Sequence, residues 1–270
     1  MVELNNKYKI GKRRFGLINW IGIYSLYKKE TLRFLIVFGQ TILGPVLTGI
    51  LFLIVISIAW GDDRGEVLGL PFIEFLAPGL ISMQVIQQAF SHSSSSILMG
   101  KVMGNIVDLI GSPLSAAEVT LAIVLASVTR SFIICIVSII CFNLLVDVKV
   151  LNYYYFFAYL IFSSFFMGSL GFIAGMWAEK FDNMATVTNF IIVPLSFLSG
   201  AFYSIERLPD ILKSISNYNP FFHMIDGLRF SMIGTSDGST IFGLLYLLSF
   251  NLIFWGTAYY LYKKGYKIKS

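Results

Sequence analysis

Few side chains in this chain have the type and spacing that chemistry requires. His92 and His223 lack a third ligand at metal-binding spacing, so a polar contact between helices is favoured over a metal or haem site. Cys135 and Cys141 lie six residues apart in one apolar run, on different sides of a helix, and therefore cannot pair. The chain has no G-x-x-x-x-G-K-[ST] phosphate loop and no pair of carboxylates within an apolar run. The sequence therefore predicts no enzyme active site, no cofactor held by this chain and no proton relay.

One arginine lies where a charge is costly. Arg130 falls near the middle of an apolar run, and a cation at the centre of a bilayer costs at least about 2.5–3.5 kcal/mol. Its side chain must therefore face protein or water. Two roles stay open. Arg130 either lines a substrate path and attracts an anionic head group, or donates hydrogen bonds to backbone carbonyls across a dimer.

The apolar runs that surround these residues define the fold class. The chain is 56% hydrophobic and 13% charged, with a mean hydropathy of +0.76, which is too apolar for a soluble domain. About 20 apolar residues cross the hydrocarbon as a helix, and continuous apolar runs favour helices over a barrel. We predict an all-α polytopic membrane protein. Its six transmembrane helices are predicted at about 34–60, 72–98, 119–146, 153–178, 184–202 and 239–262.

The fourth run carries a row of small residues. Gly168, Gly171 and Gly175 are three and four positions apart, so they lie on one face of a helix. Small residues at this spacing let the backbone of a second helix approach closely. We therefore expect this face to pack against another span.

The charges at the two ends predict the orientation. Basic residues are concentrated before the first run and after the last one, so both termini are expected in the cytoplasm. The net charge of +5 is then a topology signal and not a nucleic-acid footprint. Residues 1–33 are predicted to form a cytoplasmic tail and an interfacial helix over 17–33, or alternatively a tail and a frayed extension of the first span. Residues 263–270 are predicted to be a basic cytoplasmic tail. The interfacial helix would place Leu17, Trp20, Ile21, Tyr24 and Tyr27 on its apolar side, with Asn19, Lys29, Glu30 and Arg33 opposite.

The segment 100–111 between the second and third runs predicts a short amphipathic helix that ends at Gly111-Ser112-Pro113. Ser115 and Glu118 then match a capping box that starts the third span. Two interpretations stay open: the helix docks a cytoplasmic partner, or it lies on the lipid surface. The residues that would carry the docking role are Gly104, Ile106, Val107, Asp108, Leu109 and Pro113.

The segment 203–235 before the last run is longer than a loop requires. A turn at Gly200, a short helix interrupted by Pro209 and a second helix that begins at Asn219-Pro220 predict a structured cap on the outer side. Asp226 and Arg229 have the i,i+3 spacing of a helical ion pair, which at a wet surface would orient the cap more than stabilise it. Glu206 and Arg207 either pin the outer turn or are solvated. The predicted cap residues are Gly200, Glu206, Arg207, Pro209, Asn219, Pro220, Asp226 and Arg229.

Four short motifs, in this order on a frame of six spans, resemble a known family. They are APGL (77–80), SPLS (112–115), LSGAFYSIERLP (198–209) and NPFFHMIDGLR (219–229). The chain is similar to the permease subunit of type-2 ATP-binding-cassette exporters, which includes drug, polysaccharide and nodulation-factor export permeases.

The resemblance implies a division of labour between subunits. Segment 100–111 would be the coupling helix that sits in a groove of a separate ATPase. Segment 203–235 would be half-inserted outer helices, and two copies of the permease would form the path. Two ATPase copies would bind ATP and Mg²⁺, and the complex would move an amphipathic or glycosylated substrate out across the bacterial inner membrane. A membrane scaffold or assembly protein and a secondary transporter remain as alternatives.

Overall fold

A computed structural model of the chain describes residues 18–60 and 65–267. Residues 1–17 and 268–270 lie outside this part of the chain. The predicted cytoplasmic tail with its basic residues, Leu17 of the predicted interfacial helix and the last residues of the basic tail are therefore not described. The helices are α1 (Trp20–Ile36), α2 (Gly44–Trp60), α3 (Phe72–Val102), α4 (Ile106–Gly111), α5 (Ala116–Phe142), α6 (Tyr153–Trp177), α7 (Phe181–Val187), α8 (Val193–Phe197), α9 (Asp210–Tyr218), α10 (Pro220–Ile233) and α11 (Thr240–Lys264).

Three irregular helical pieces and one hairpin complete the fold. π-Helical turns precede α2 (Gly39–Leu43) and α8 (Thr188–Ile192), and a 3₁₀ turn (Ile205–Arg207) precedes α9. Strands β1 (Glu66–Val67) and β2 (Leu70–Pro71) pair antiparallel before α3. The prediction of an all-α chain therefore missed a small hairpin. Because its turn holds Leu68 and Gly69 at φ +54° and +76°, the hairpin uses the left-handed geometry that tight hairpins favour.

Helices α3 and α6 form the centre of the bundle, with α1, α5, α10 and α11 packed around them. Within the described residues, four helices are long and apolar enough to cross a membrane: Gly39–Ala59, Ala116–Phe142, Tyr153–Trp177 and Thr240–Lys264. The second predicted span corresponds to α3, whose 31 residues are long enough but include many glutamines and serines. The fifth corresponds to the 17-residue helical run 181–197, shorter than the roughly 20 residues of a typical span. The count of six is therefore not confirmed.

Helix α1 packs on the bundle through Ile23, Leu26, Glu30 and Phe34. Trp20, Ile21 and Tyr24 are exposed, as a stripe at the interface requires, but Asn19 and Glu30 are buried on the opposite side. Glu30 accepts hydrogen bonds from Arg33 of its own helix (3.0 Å) and from Ser96 of α3 (2.8 Å). The Glu30 carboxylate is thus satisfied by the protein, because α3 supplies a serine partner that the periodicity of α1 does not reveal.

The glycine row on α6 does permit close packing, as predicted. A Cβ atom at Gly171 would lie 2.4 Å from the Phe90 carbonyl oxygen of α3, and one at Gly175 would lie 2.7 Å from that of Ser94. A Cβ at Gly168 would meet the Ser127 hydroxyl of α5 at 2.1 Å. The two helices at the centre of the bundle can therefore approach only without side chains at these positions.

We expect Gly171→Ala to destabilise the bundle. The added methyl group must push α6 away from a rigid carbonyl of α3, and such overpacking costs about 1–3 kcal/mol. The measurement is the thermal unfolding midpoint of the protein in mild detergent. Gly256→Ala on α11 is the matched control, since a Cβ there meets nothing within 4 Å. Equal midpoints for the two variants would contradict the packing argument.

Candidate functional site

The short helix α4 forms a projecting surface at one end of the bundle, here called the α4 end. Gly104 makes the turn after α3 with φ +78°, a conformation that favours glycine. Ile106 is only 6% exposed and packs in a core cluster with Ile23 and Leu26 of α1. Val107 is 67% exposed. The predicted docking residues therefore divide: Ile106 anchors the helix and Leu109 is half-buried, while Val107, Asp108 and Pro113 face outward.

A single carboxylate joins α4, α5 and α1. The capping box is present as predicted, because Ser115 Oγ accepts from the Glu118 N–H and Glu118 Oε2 accepts from the Ser115 N–H (2.6 Å). Glu118 Oε1 also accepts from the backbone N–H of Asn19 at 2.6 Å. This third contact could not be predicted from local spacing, because Asn19 lies 99 positions away. The start of α1 is thereby fixed to the segment that follows α4.

Two lysines also connect neighbouring helices at the α4 end. Lys101, near the end of α3, donates to the carbonyl oxygens of Met176 (2.7 Å) and Ala178 (2.5 Å). Lys267 pairs with Glu179 at 2.9 Å. The hydrogen bond from this ammonium lowers the pKa of the Glu179 carboxyl below its ordinary value. Lys267 belongs to the basic tail that the sequence analysis predicted, whereas Lys101 was not singled out, and only the fold assigns partners to the two lysines.

Arg130 is buried and bonded within its own chain. Its Nη2 donates to Gln88 Oε1 of α3 (2.5 Å) and to the carbonyl oxygen of Thr41 (3.2 Å) in the π-helical turn. A backbone carbonyl is thus one of its partners, as one of the two interpretations required, but the carbonyl belongs to the same copy of the chain. The π-helical turn and α3 are held together through this one side chain.

Two chambers lie end to end between α2, α3 and α8. The first, of about 410 Å³, is lined by glutamines of α3 and is here called the polar chamber. The second, of about 610 Å³ and toward the hairpin, is lined almost entirely by apolar side chains and is called the apolar chamber. Three phenylalanines border both: Phe52, Phe197 and Phe202.

The three phenylalanines form the boundary between the chambers. The Phe202 ring stacks on Phe197 with centroids 5.0 Å apart and packs against Phe52 at 5.4 Å. These rings come from α2, from α8 and from the loop that follows α8. A movement of that loop would therefore change the connection between the chambers.

Arg229 does not form the predicted ion pair with Asp226. The guanidinium is 1% exposed and lies over the Phe75 ring of α3, 3.9 Å from its centroid. Its Nη2 donates to the carbonyl oxygens of Gly200 (2.6 Å) and Ala201 (3.4 Å). Because the guanidinium is buried and the carbonyls lie within reach, backbone oxygens and an aromatic face solvate the cation.

Gly79 makes room for this arrangement. A Cβ atom there would lie 2.3 Å from the Ala201 carbonyl oxygen and 3.1 Å from the Arg229 guanidinium. The APGL, LSGAF and NPFFHMIDGLR motifs therefore meet at one point, directly behind Phe202. The sequence singled out all three motifs but could not predict that they touch.

Two aspartates fix the rest of the outer segment. Asp226 accepts from the backbone N–H groups of Asp237 (2.9 Å) and Gly238 (3.0 Å). Asp237, which the sequence analysis did not single out, accepts in turn from Ser204 Oγ (2.5 Å) and from the Ile205 N–H (3.2 Å). The loop that carries Phe202 is therefore tied at its start by Arg229 and at its end by Asp237.

The remaining cap residues are structural. Asn219 caps α10 and its amide donates to Ser199 Oγ (3.0 Å), with Pro220 as the first residue of α10. Arg207 donates to the Glu66 carbonyl of the hairpin (3.3 Å), which supports the interpretation that it pins the outer turn, while Glu206 is exposed. Pro209 directly precedes α9. Helix α10 itself is buried from Phe221 to Arg229, so it is a core helix and not a surface lid.

The two histidines are separate and unsuited to a metal. His223 Nε2 lies 2.8 Å from the Asn217 carbonyl oxygen, and His92 is buried with its ring edge-on to Phe34. Among the described residues no group of three or more His, Cys, Asp or Glu side chains could hold a metal ion. His223 therefore makes the polar contact between helices that the sequence analysis favoured. His92 does not, because neither ring nitrogen has a hydrogen-bond partner among the described residues and its contact to α1 is through the Phe34 ring.

These features define a polytopic helical membrane protein with a candidate path and a projecting surface at one end. A family model described as ABC-2 type transporter matches residues 22–233. The chain belongs to this family of transporter permeases, which supply the membrane component of transporters and ordinarily work with an ATP-binding subunit. It is a multi-pass protein of the inner membrane.

The chain is similar in sequence to several named proteins over most of their length. The chain is 30% identical to the inner membrane transport permease YadH of Escherichia coli K12 over 240 residues, covering 87% of this chain and 94% of YadH. It is 23% identical to Nodulation protein J of Rhizobium leguminosarum bv. viciae over 230 residues, covering 81% and 84%. Nodulation protein J of Sinorhizobium fredii is 24% identical over 240 residues, covering 82% and 83%.

Proposed function

We propose that this chain is the membrane-spanning half of an ATP-driven exporter, working as a homodimer with two copies of a separate ATPase. ATP and Mg²⁺ are bound by that ATPase and not by this chain. One observation supports the proposal. The same chain combines a surface at the α4 end that is joined to α1 and α5 with two chambers that lie in line toward the hairpin.

In this proposal the α4 end faces the cytoplasm and six segments cross the membrane. The runs that contain α3 and 181–197 complete the set, because both contribute residues to the two chambers beside α2. Helix α2 exposes Leu47, Leu51 and Val55. A second copy of the chain packed on this apolar face would close the path.

The transport step follows from the way the elements are joined. Closure of the ATPase pair pushes on Val107 and Asp108 of α4, and Ile106 and Glu118 transmit the displacement to α1 and α5. Arg130 links α5 to α3, which is a wall of the polar chamber, and to the turn that precedes α2, the opposite wall. An amphipathic or glycosylated substrate then passes from the polar chamber, past the three phenylalanines, into the apolar chamber and out.

The first test is purification of the tagged chain from native membranes in mild detergent, with identification of whatever co-purifies in stoichiometric amount. We expect a cassette ATPase at one copy per permease and a mass that corresponds to two of each. A homodimer without ATPase, under conditions that preserve a known exporter complex, would favour a membrane scaffold or assembly protein. A monomer that transports without ATPase would indicate a secondary transporter.

A further inference from the structure

Helices α2 and α8, which both border the polar chamber, begin with the same irregularity. Each follows a π-helical turn of five residues, Gly39–Leu43 before α2 and Thr188–Ile192 before α8. In each, the second residue of the α-helix that follows is a proline, Pro45 and Pro194 respectively. Single π-helical turns are rare overall and occur frequently at functional sites. One physical cause should therefore explain both turns.

Proline is that cause. It has no backbone N–H, and in a regular α-helix its ring clashes with the carbonyl group four residues earlier. The two carbonyl groups belong to Thr41 and Phe190, and each lies inside a π-helical turn. The wider turn gives the ring room, but neither oxygen can receive its α-helical hydrogen bond from the proline. Each turn is therefore a point where the helical bonding is incomplete and the helix can bend.

One of the two oxygens receives a replacement donor. Arg130 Nη2 of α5 donates to the Thr41 carbonyl oxygen at 3.2 Å and to Gln88 Oε1 at 2.5 Å. The guanidinium thus takes the place of the N–H that residue 45 lacks. In the part of the chain that the structure describes, no side chain donates to the Phe190 oxygen, so the turn before α8 has no such replacement.

The turn before α2 connects a helix that is fixed to the bundle with one that exposes many of its large apolar side chains. Helix α1 is joined to α5 by the hydroxyl contact between Tyr27 and Thr129 (2.8 Å). The turn itself touches α5 through Ile42, which packs in a small apolar cluster with Ile134. Because apolar contacts are non-directional and hydrogen bonds are directional, Arg130 is the contact that fixes the angle between α1 and α2.

We propose that Arg130 is a positioning residue for the wall of the polar chamber, and that it latches a hinge between α1 and α2. Its guanidinium supplies to the Thr41 carbonyl the hydrogen bond that Pro45 cannot donate, and the turn bends when this bond is released. Arg130 thus acts on the backbone of a chamber wall and not on the substrate. The role of the hinge in transport rests on the proposed function, since Pro45 lines the chamber, but the hinge itself is a property of the isolated chain.

The hinge is measured as the distance between two nitroxide labels on the helices that it joins. Cysteines replace Tyr24 of α1 and Ile58 of α2, which are both exposed, in a Cys135→Ala/Cys141→Ala background. The labels are at most about 50 Å apart along the two helices, a distance that electron–electron double resonance can measure. The full chain is studied in lipid nanodiscs without ATPase, diluted with unlabelled cysteine-free chain so that only distances within one copy are recorded. We expect one narrow distribution for the parent.

Variants then test the latch. Arg130→Met keeps the length of the side chain but removes its donors, so the population at altered distances should rise roughly five- to tenfold. Adding Pro45→Ala should return the distribution to a single narrow peak, since the new N–H can donate to the Thr41 oxygen. Pro194→Ala is the matched control, because it removes the proline of the other turn and should leave the Arg130→Met effect in place. Gln88→Met removes the other partner of Arg130 and should leave the distribution narrow.

Four results would overturn the inference: an Arg130→Met variant with the parent's distribution, a double variant with Pro45→Ala that stays as broad as Arg130→Met, equal rescue by Pro194→Ala, or equal broadening by Gln88→Met. If Arg130→Met alone does not fold, Pro45→Ala should restore a folded chain, and a double variant that also fails to fold would contradict the latch. A chain that shows the rescue but never associates with an ATPase would refute the proposed function and leave the hinge standing.

Discussion

Arg229→Gln is expected to release the loop that carries Phe202 and to destabilise the outer half of the protein. Arg229 holds the carbonyl oxygens of Gly200 and Ala201 in a dry site, where glutamine has neither the reach nor the charge to replace both bonds. A hydrogen bond to a charged group contributes about 1.5–3 kcal/mol, and the carbonyls left behind would be buried without donors. We expect a loss of stability of that size and a phenylalanine boundary that no longer closes.

Two measurements separate stability from closure. The thermal unfolding midpoint in mild detergent reports the first. For the second, a cysteine introduced at Gln87 in the polar chamber is labelled by a membrane-impermeant maleimide added from the hairpin side, without ATP, and labelling should be faster in the Arg229→Gln background. Arg207→Gln is the matched control, since that exposed arginine makes one bond of 3.3 Å to the hairpin. If the Arg229→Gln variant has the same unfolding midpoint and the same labelling rate as this control, Arg229 does not hold the loop.

The second large effect is expected at α4, where two adjacent apolar residues should respond differently to the same charge. Val107→Asp places a carboxylate on the exposed surface, so the chain should fold normally but lose its ATPase and its transport. Ile106→Asp buries the carboxylate in the cluster that joins α4 to α1 and α5, and should unfold this end of the bundle, because an unpaired buried charge costs several kcal/mol.

The pair is compared by the unfolding midpoint of the purified chain and by the ATPase recovered with it. We expect an unchanged midpoint with little ATPase for Val107→Asp, and a lowered midpoint for Ile106→Asp. Recovery of a full complement of ATPase with Val107→Asp would mean that α4 lies on lipid, the interpretation that the sequence left open. Equal midpoints for the two variants would show that Ile106 is not an anchor.

Local signals in the sequence predicted the helices with good accuracy. The capping box at Ser115 and Glu118 and the glycine row of α6 were predicted from spacing alone, because each depends on residues within one or two helical turns. Helix α10 was predicted in the same way from Asn219-Pro220. The short helix predicted around Pro209 is divided there into a 3₁₀ turn that ends before the proline and α9 that begins after it. The hairpin at Glu66–Pro71 was missed, because two-residue strands leave no periodic pattern.

Partners of buried polar groups could not be obtained from the sequence. The partners of Arg130 are 42 and 89 positions away, and the i,i+3 rule suggested for Arg229 a partner that the fold does not use. In a dry interior a charge takes whichever acceptor lies closest in space, and separation along the chain has little influence on that choice. The sequence by itself determined a helical membrane permease with a short helix at one end and a structured segment before the last span. The tertiary structure alone decided which faces of these helices meet, and therefore which side chains line the chambers and which hold them in place.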